Sequence, residues 1–148
     1  MTDATRDSPL ENSYPGERLG FPATGVGSIA RPGRRIGALA IDYAAATIIA
    51  IAFFGYDQFA LPAEAGWTQF APMMVFAAMN VVFLPTIGGT PGHRLLGMRV
   101  QLVRGGWVGV WRPIVRTALL IVVIPAVVWD ADQRGLHDKA AGTVLLRG

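Results

Sequence analysis

Apolar residues along this chain gather into three blocks, 36–54, 70–87 and 114–129, separated by segments rich in Gly, Pro and charged residues. A helix rises about 1.5 Å per residue and the hydrocarbon of a bilayer is about 30 Å thick, so a spanning helix needs roughly 20 residues. With a few flanking residues the first two blocks reach that length and predict spans over about 36–55 and 68–87. The third, taken as about 113–130, carries Arg116 near its start and Pro125 near its end, and proline removes a helix hydrogen bond. It reads as a short, broken, re-entrant or interfacial helix. A full third crossing, with the helix running from Arg112 to Ala131, is the alternative.

Two shorter stretches follow a different period. From Gly97 to Val103, apolar Met98, Val100 and Leu102 alternate with Arg99 and Gln101, and Arg104-Gly105-Gly106 then signals a turn. Thr143-Val144-Leu145-Leu146 is a second strand candidate. A lone strand leaves its backbone groups unpaired, so the two are expected to form a small cytoplasmic pair. Residues 1–30 hold Pro and Gly among mixed charges with no periodic pattern, which predicts a mostly disordered cytoplasmic tail. The expected fold class is therefore an all-α integral membrane protein. Two full transmembrane helices, a short third segment and a small strand pair make up a single membrane domain over 31–148.

Charge orients this arrangement. Arg31, Arg34 and Arg35 lie before or at the start of the first span, whereas the loop 55–68 has Asp57 and Glu64 and no Lys or Arg. Arg94, Arg99, Arg104, Arg112 and Arg116 then crowd the stretch after the second span. Both patterns place the amino terminus and the 88–112 region in the cytoplasm, and the strand pair puts the carboxyl terminus there too. An apolar fraction of 52% with 16% charged residues excludes an ordinary soluble fold. The absence of cysteine excludes disulfides, thiolate metal sites and a cysteine nucleophile. With two histidines and no nucleophile-base pair or phosphate loop, no enzyme, metal, cofactor or nucleic-acid role is expected.

Asp42 is the most expensive residue to place. A charged carboxylate near the centre of a bilayer costs about 2.5 to 3.5 kcal/mol on insertion scales, so it faces protein, water or a partner. Arg35, Ala38, Leu39, Asp42 and Ala46 share one helical stripe, with Arg35 and Asp42 about 10 Å apart along the axis. That is too far for a rigid direct salt bridge. Asn80 lies in the second block at similar depth, which predicts an Asp42 to Asn80 hydrogen bond, either as a structural clamp or as part of a proton- or cation-handling site. Small residues, Gly37, Ala40 and Ala44 in the first helix and Ala77 and Ala78 in the second, are expected to let the helices approach. In the segment 88–97, Thr90 suits a helix N-cap and Pro91 its first turn. Thr90, Gly92, His93, Arg94 and Arg99 are there candidates for contact with an anion or with anionic lipid headgroups. Asp130, Asp132, Arg134, His137, Asp138 and Lys139 form a mixed-charge cluster expected to be a salt-bridged cytoplasmic cap.

Three segments, RRIGALAID at 34–42, TPGHRLLGMRV at 90–100 and RGLHDKAAGTV at 134–144, occur in an order and spacing that resembles the RDD family of bacterial membrane proteins. The resemblance implies that the arginine opening the first helix and the aspartate within it are Arg35 and Asp42. It implies Asp138 as the second aspartate, with Asp130 and Asp132 close by. His93 stands where the family usually has lysine, so no permanent charge is expected at that position. Transport of unidentified ligands is suggested for the family, whose function is poorly defined. Two expectations follow. One is oligomeric transport of a proton, cation or small ligand through Arg35, Asp42, Asn80 and Asp138. The other is a non-catalytic accessory or scaffold subunit, acting as a homo-oligomer or with a membrane-complex partner.

Overall fold

A computed structural model describes residues 13–122 and 136–148. Its longest element, α1 (Pro32–Phe54), starts on a proline whose fixed φ suits the first turn and ends at Gly55, whose φ of 65° closes the helix with an N–H to Ala50 O. Its 23 residues span about 35 Å. The segment after α1 holds a single turn, α2 (Pro62–Ala65). A 3-10 segment, Gly66–Phe70, then leads into α3 (Ala71–Ile87), giving a second run of 22 residues. Both runs are long and apolar enough to cross a membrane. α1 begins before the apolar block does, so Arg34 and Arg35 lie within its first turns.

After Gly88, at φ 70°, the chain forms α4 (Pro91–Leu95), β1 (Met98–Leu102), α5 (Trp111–Ile121), α6 (Leu136–Ala140) and β2 (Thr143–Arg147). β1 and β2 pair antiparallel with Val100 opposite Leu145. The third apolar segment is helical over Trp111–Ile121. Its remainder, with Pro125, and the residues Asp130, Asp132 and Arg134 of the charged cluster lie outside the described residues.

Residues 13–30 depart from the disordered tail expected there; residues 1–12 lie outside the described set. Ile29 bridges Leu146, Ala30 N–H donates to Leu145 O at 2.9 Å and Arg147 N–H donates to Ser28 O at 2.8 Å. The 28–30 segment thus lies along the free edge of β2 and is buried. Three residues are too few to show a period, and their partner lies more than a hundred positions away, so local pattern could not reveal the pairing. Ala30, Ala38, Leu84, Met98, Val100, Val108 and Leu145 form one core that joins the sheet to the ends of α1 and α3. The Trp107 indole donates to Pro85 O at 2.7 Å, meeting a carbonyl in the last turn of α3.

The helix faces are inverted relative to a soluble protein. α1 buries Ala38, Asp42, Ala46 and Ala50, at four-residue spacing, and exposes Ile36, Tyr43, Ile48, Ile51 and Phe53. α3 buries Asn80 beside Phe76 and Met79, yet leaves Met74 and Val82 outside. α5 buries Arg116 and Thr117 and turns Trp111, Ile114 and Val122 outward. Large apolar residues outside and charges inside are what a hydrocarbon surrounding selects. The close-packed stripe on α1 is 38-42-46-50, so Ala40 and Ala44 face outward, as does Ala78 on α3. The small-residue faces expected to meet therefore do not. The need to bury Asp42 sets the rotation of α1.

Candidate functional site

The buried polar groups collect where α1, α3, α4, α5 and α6 converge, and two carboxylates organise them. Asp138, in α6, is fully buried. Its Oδ1 accepts from Arg116 Nε at 2.6 Å and its Oδ2 from Arg35 Nη1 at 3.2 Å. Arg35 Nε also donates to Ala30 O at 2.9 Å, and the Thr143 hydroxyl donates to the Asp138 carbonyl at 3.3 Å. Through its side chain and its carbonyl, Asp138 thereby ties α1, α5 and the start of β2 together. Burial alone would raise the Asp138 carboxyl; the guanidinium of Arg116, then His137 and Arg35, outweigh burial and hold it at about 2. A buried carboxylate between two guanidiniums is strongly favoured as the anion.

Asp42 is held by a different kind of donor. Its Oδ1 accepts the Gly92 N–H at 2.7 Å and its Oδ2 accepts the Thr90 hydroxyl. Both donors belong to the segment Thr90-Pro91-Gly92, which opens α4. The glycine is obligatory for steric reasons. A Cβ at position 92 would collide with the carbonyl oxygen of Ala38 and would lie 2.9 Å from the Asp42 carboxyl carbon. Thr90 also caps α4: its Oγ1 accepts from His93 N–H at 3.4 Å while Thr90 N–H donates to His93 Nδ1 at 3.2 Å. This is a capping box with imidazole in the place usually taken by Glu or Gln. His93 can accept there only while neutral at Nδ1. Burial, reinforced by Arg116, Arg35 and His137 against an opposing Asp138, pushes its pKa down to about 3, which keeps the ring neutral at pH 7.

Arg35, Asp42, Asn80 and Asp138, the four ligand-handling candidates, all line one half-open cleft together with His93, Arg116 and His137. It has about 70 Å³ of space, room for a few water molecules. The expected Asp42 to Asn80 hydrogen bond is not made. The Asn80 amide donates instead to Phe76 O, one turn back in its own helix, at 2.9 Å. That local acceptor is always within reach, whereas Asp42 is drawn to the two donors of α4.

The anion-contact set also divides. Thr90, Gly92 and His93 are buried, the Thr90 hydroxyl and the Gly92 N–H already face the carboxylate of Asp42, and the His93 N–H is taken by Thr90 Oγ1, so a bound phosphate has no place at that turn. Arg94 and Arg99 are exposed and line a separate polar cavity beside Trp107. Arg116 is the functional residue that the sequence reading assigned only to topology. Its signal was present: an arginine two residues beyond Ile114, in a mainly apolar run, is a charge that needs a buried partner.

A family model described as RDD family matches residues 29–142. No curated protein and no solved structure matches this chain.

Proposed function

The chain belongs to the RDD family, and from that membership and its two candidate spans we propose that it is a multi-pass inner-membrane protein, with both termini cytoplasmic, that handles protons at Asp42 as part of an oligomer. The observation that carries this reading is a buried aspartate on the wall of a water-sized cleft, hydrogen-bonded to a hydroxyl that itself touches a neutral imidazole. Thr90 Oγ1 lies 2.5 Å from His93 Nδ1 and also bonds Asp42. A cleft of about 70 Å³ lined by Arg35 and Arg116 disfavours a hydrated metal cation or a larger solute. Asp42 can change its charge without stranding a cation, since Thr90 and Gly92 are neutral donors. Two spanning helices cannot enclose a pathway, so copies of the chain or partner helices would have to complete it. No chemical conversion is assigned to the protein.

Reconstitution into vesicles with an internal pH dye tests the reading. Wild-type protein is expected to dissipate an imposed pH gradient, and Asp42→Asn is expected to insert normally and lose that flux. Absence of flux from the wild type, or equal flux from the variant, would overturn it.

A second reading is favoured by the same two bonds. Because both oxygens of Asp42 are occupied from within the chain, the aspartate also serves as a latch for α4 in a non-catalytic accessory or scaffold subunit of a membrane complex. Affinity capture from solubilised membranes separates the two, since a scaffold retains a different membrane protein and a proton-handling homo-oligomer retains only itself.

A further inference from the structure

A second polar cavity, of about 290 Å³, opens where α1 begins. Residues 23–25 and 28–30 line it together with Arg31, Arg34 and Arg147. The fold assembles this trio. Pairing of Ser28 and Ala30 with the end of β2 brings Arg147 beside Arg31, the residue that precedes α1, and Arg34 follows within the first turn. No carboxylate lines the cavity, and among the described residues none of the three arginines has an ion-pair partner. Arg34 makes a single side-chain bond, from Nη1 to Leu96 O at 3.1 Å. Three guanidiniums around one space repel one another, and an anion placed between them removes that repulsion. Their planar forks match the oxygens of a phosphate better than those of a hydrated halide.

The location argues for the source of the phosphate. Ile36, two residues beyond Arg34, already faces outward at 56% exposure, so the cavity sits at the boundary where the apolar surface of α1 starts. A phosphate held at that level has its acyl chains beside the helix. We infer that the cavity around Arg31, Arg34 and Arg147 binds the phosphodiester of an anionic membrane lipid. The inference rests on the membrane placement of the chain and is independent of proton handling at Asp42.

The purified, delipidated full chain in detergent is titrated with phosphatidylglycerol, with phosphatidylcholine and with inorganic phosphate, and bound lipid is counted by native mass spectrometry. Arg31→Gln combined with Arg147→Gln removes two charges whose side chains hold nothing else in the described structure. Each interfacial arginine is worth about 1 kcal/mol, so phosphatidylglycerol is expected to bind about thirtyfold more weakly to the double variant. Arg104→Gln, an exposed arginine in the turn after β1, is expected to change binding less than twofold. Equal loss in Arg104→Gln, no loss in the double variant, or phosphatidylcholine bound as tightly as phosphatidylglycerol overturns the site. Inorganic phosphate binding as tightly as the lipid also overturns it, because the site would then be one for a free anion. Should the double variant fail to fold, the wild-type chain alone carries the test through at least tenfold selectivity for the anionic lipid.

Discussion

Asp42 and Asp138 line the same cleft, yet the chain holds them by opposite means. Asp138 is clamped between two guanidiniums, Arg35 and Arg116, contributed by two helices. Asp42 is met by a hydroxyl and an amide, both from the turn that opens α4. Charge pairing at Asp138 fixes a negative charge in place, because protonating it would remove the carboxylate that both buried guanidiniums face. Neutral donors at Asp42 stabilise the carboxylate less and leave nothing uncompensated if it is neutralised. Two buried aspartates in the same molecule are thus held, one by charge pairing and the other by neutral donors.

Removing charge at Asp138 gives the largest expected effect. Asp138→Asn takes the buried carboxylate away from Arg116 and Arg35, and breaking a buried ion pair in this way costs about 3 to 5 kcal/mol. Thermal unfolding in detergent should show little or no folded protein. A melting temperature within a few degrees of wild type would show that the two arginines have other partners.

Gly92→Ala comes next. The added methyl meets Ala38 O and forces α4 away from α1, with overpacking and the lost Gly92 to Asp42 bond together worth about 3 kcal/mol. Its melting temperature should fall well below that of Asp42→Asn, which keeps the shape of the latch and loses charge alone, at about 1 to 2 kcal/mol. A harmless Gly92→Ala would mean that the close approach of α4 to α1 is not maintained in the membrane.

Acid sharpens the contrast further. His93 is held neutral, with a folded pKa of about 3 against an ordinary 6.5. The unfolded chain therefore takes up its proton first, and stability present above pH 6.5 declines as pH falls from there toward 3. The slope is at most about 1.4 kcal/mol per pH unit for one proton. Asp138, lowered to about 2 from 3.8, adds a further loss only between about pH 4 and 2. His93→Gln, which retains an acceptor for Thr90 N–H, is expected to flatten the decline between pH 6 and 4 while changing stability at pH 7.5 by less than about 1 kcal/mol. An unchanged decline in that variant would move the titrating group elsewhere.

Much of the frame was legible from residue order. Span length marks 36–54 and 70–87 as apolar helices because a bilayer imposes a fixed number of residues, and α1 and α3 cover both blocks. Alternation at 98–102 marks β1 because successive strand residues face opposite ways. Thr90 as a cap, Pro91 in the first turn and the stripe through Arg35, Ala38, Asp42 and Ala46 follow from helix geometry, which is local.

What local geometry leaves open is which polar group each buried polar side chain meets. Asp42 had Asn80 at matching depth, yet it bonds Thr90 and Gly92, because α4 folds back against α1 and two donors outcompete one that can serve its own helix. The edge pairing of residues 28–30 and the Arg31, Arg34 and Arg147 cavity depend on contacts between opposite ends of the chain. That Asp42 must be buried away from lipid follows from residue order, since the cost of a charge in hydrocarbon depends on the residue alone. That Arg116 is buried and shares Asp138 with Arg35 while Asp42 closes on α4 emerges only from the fold, since pairing depends on which donors the packed helices bring within about 3 Å.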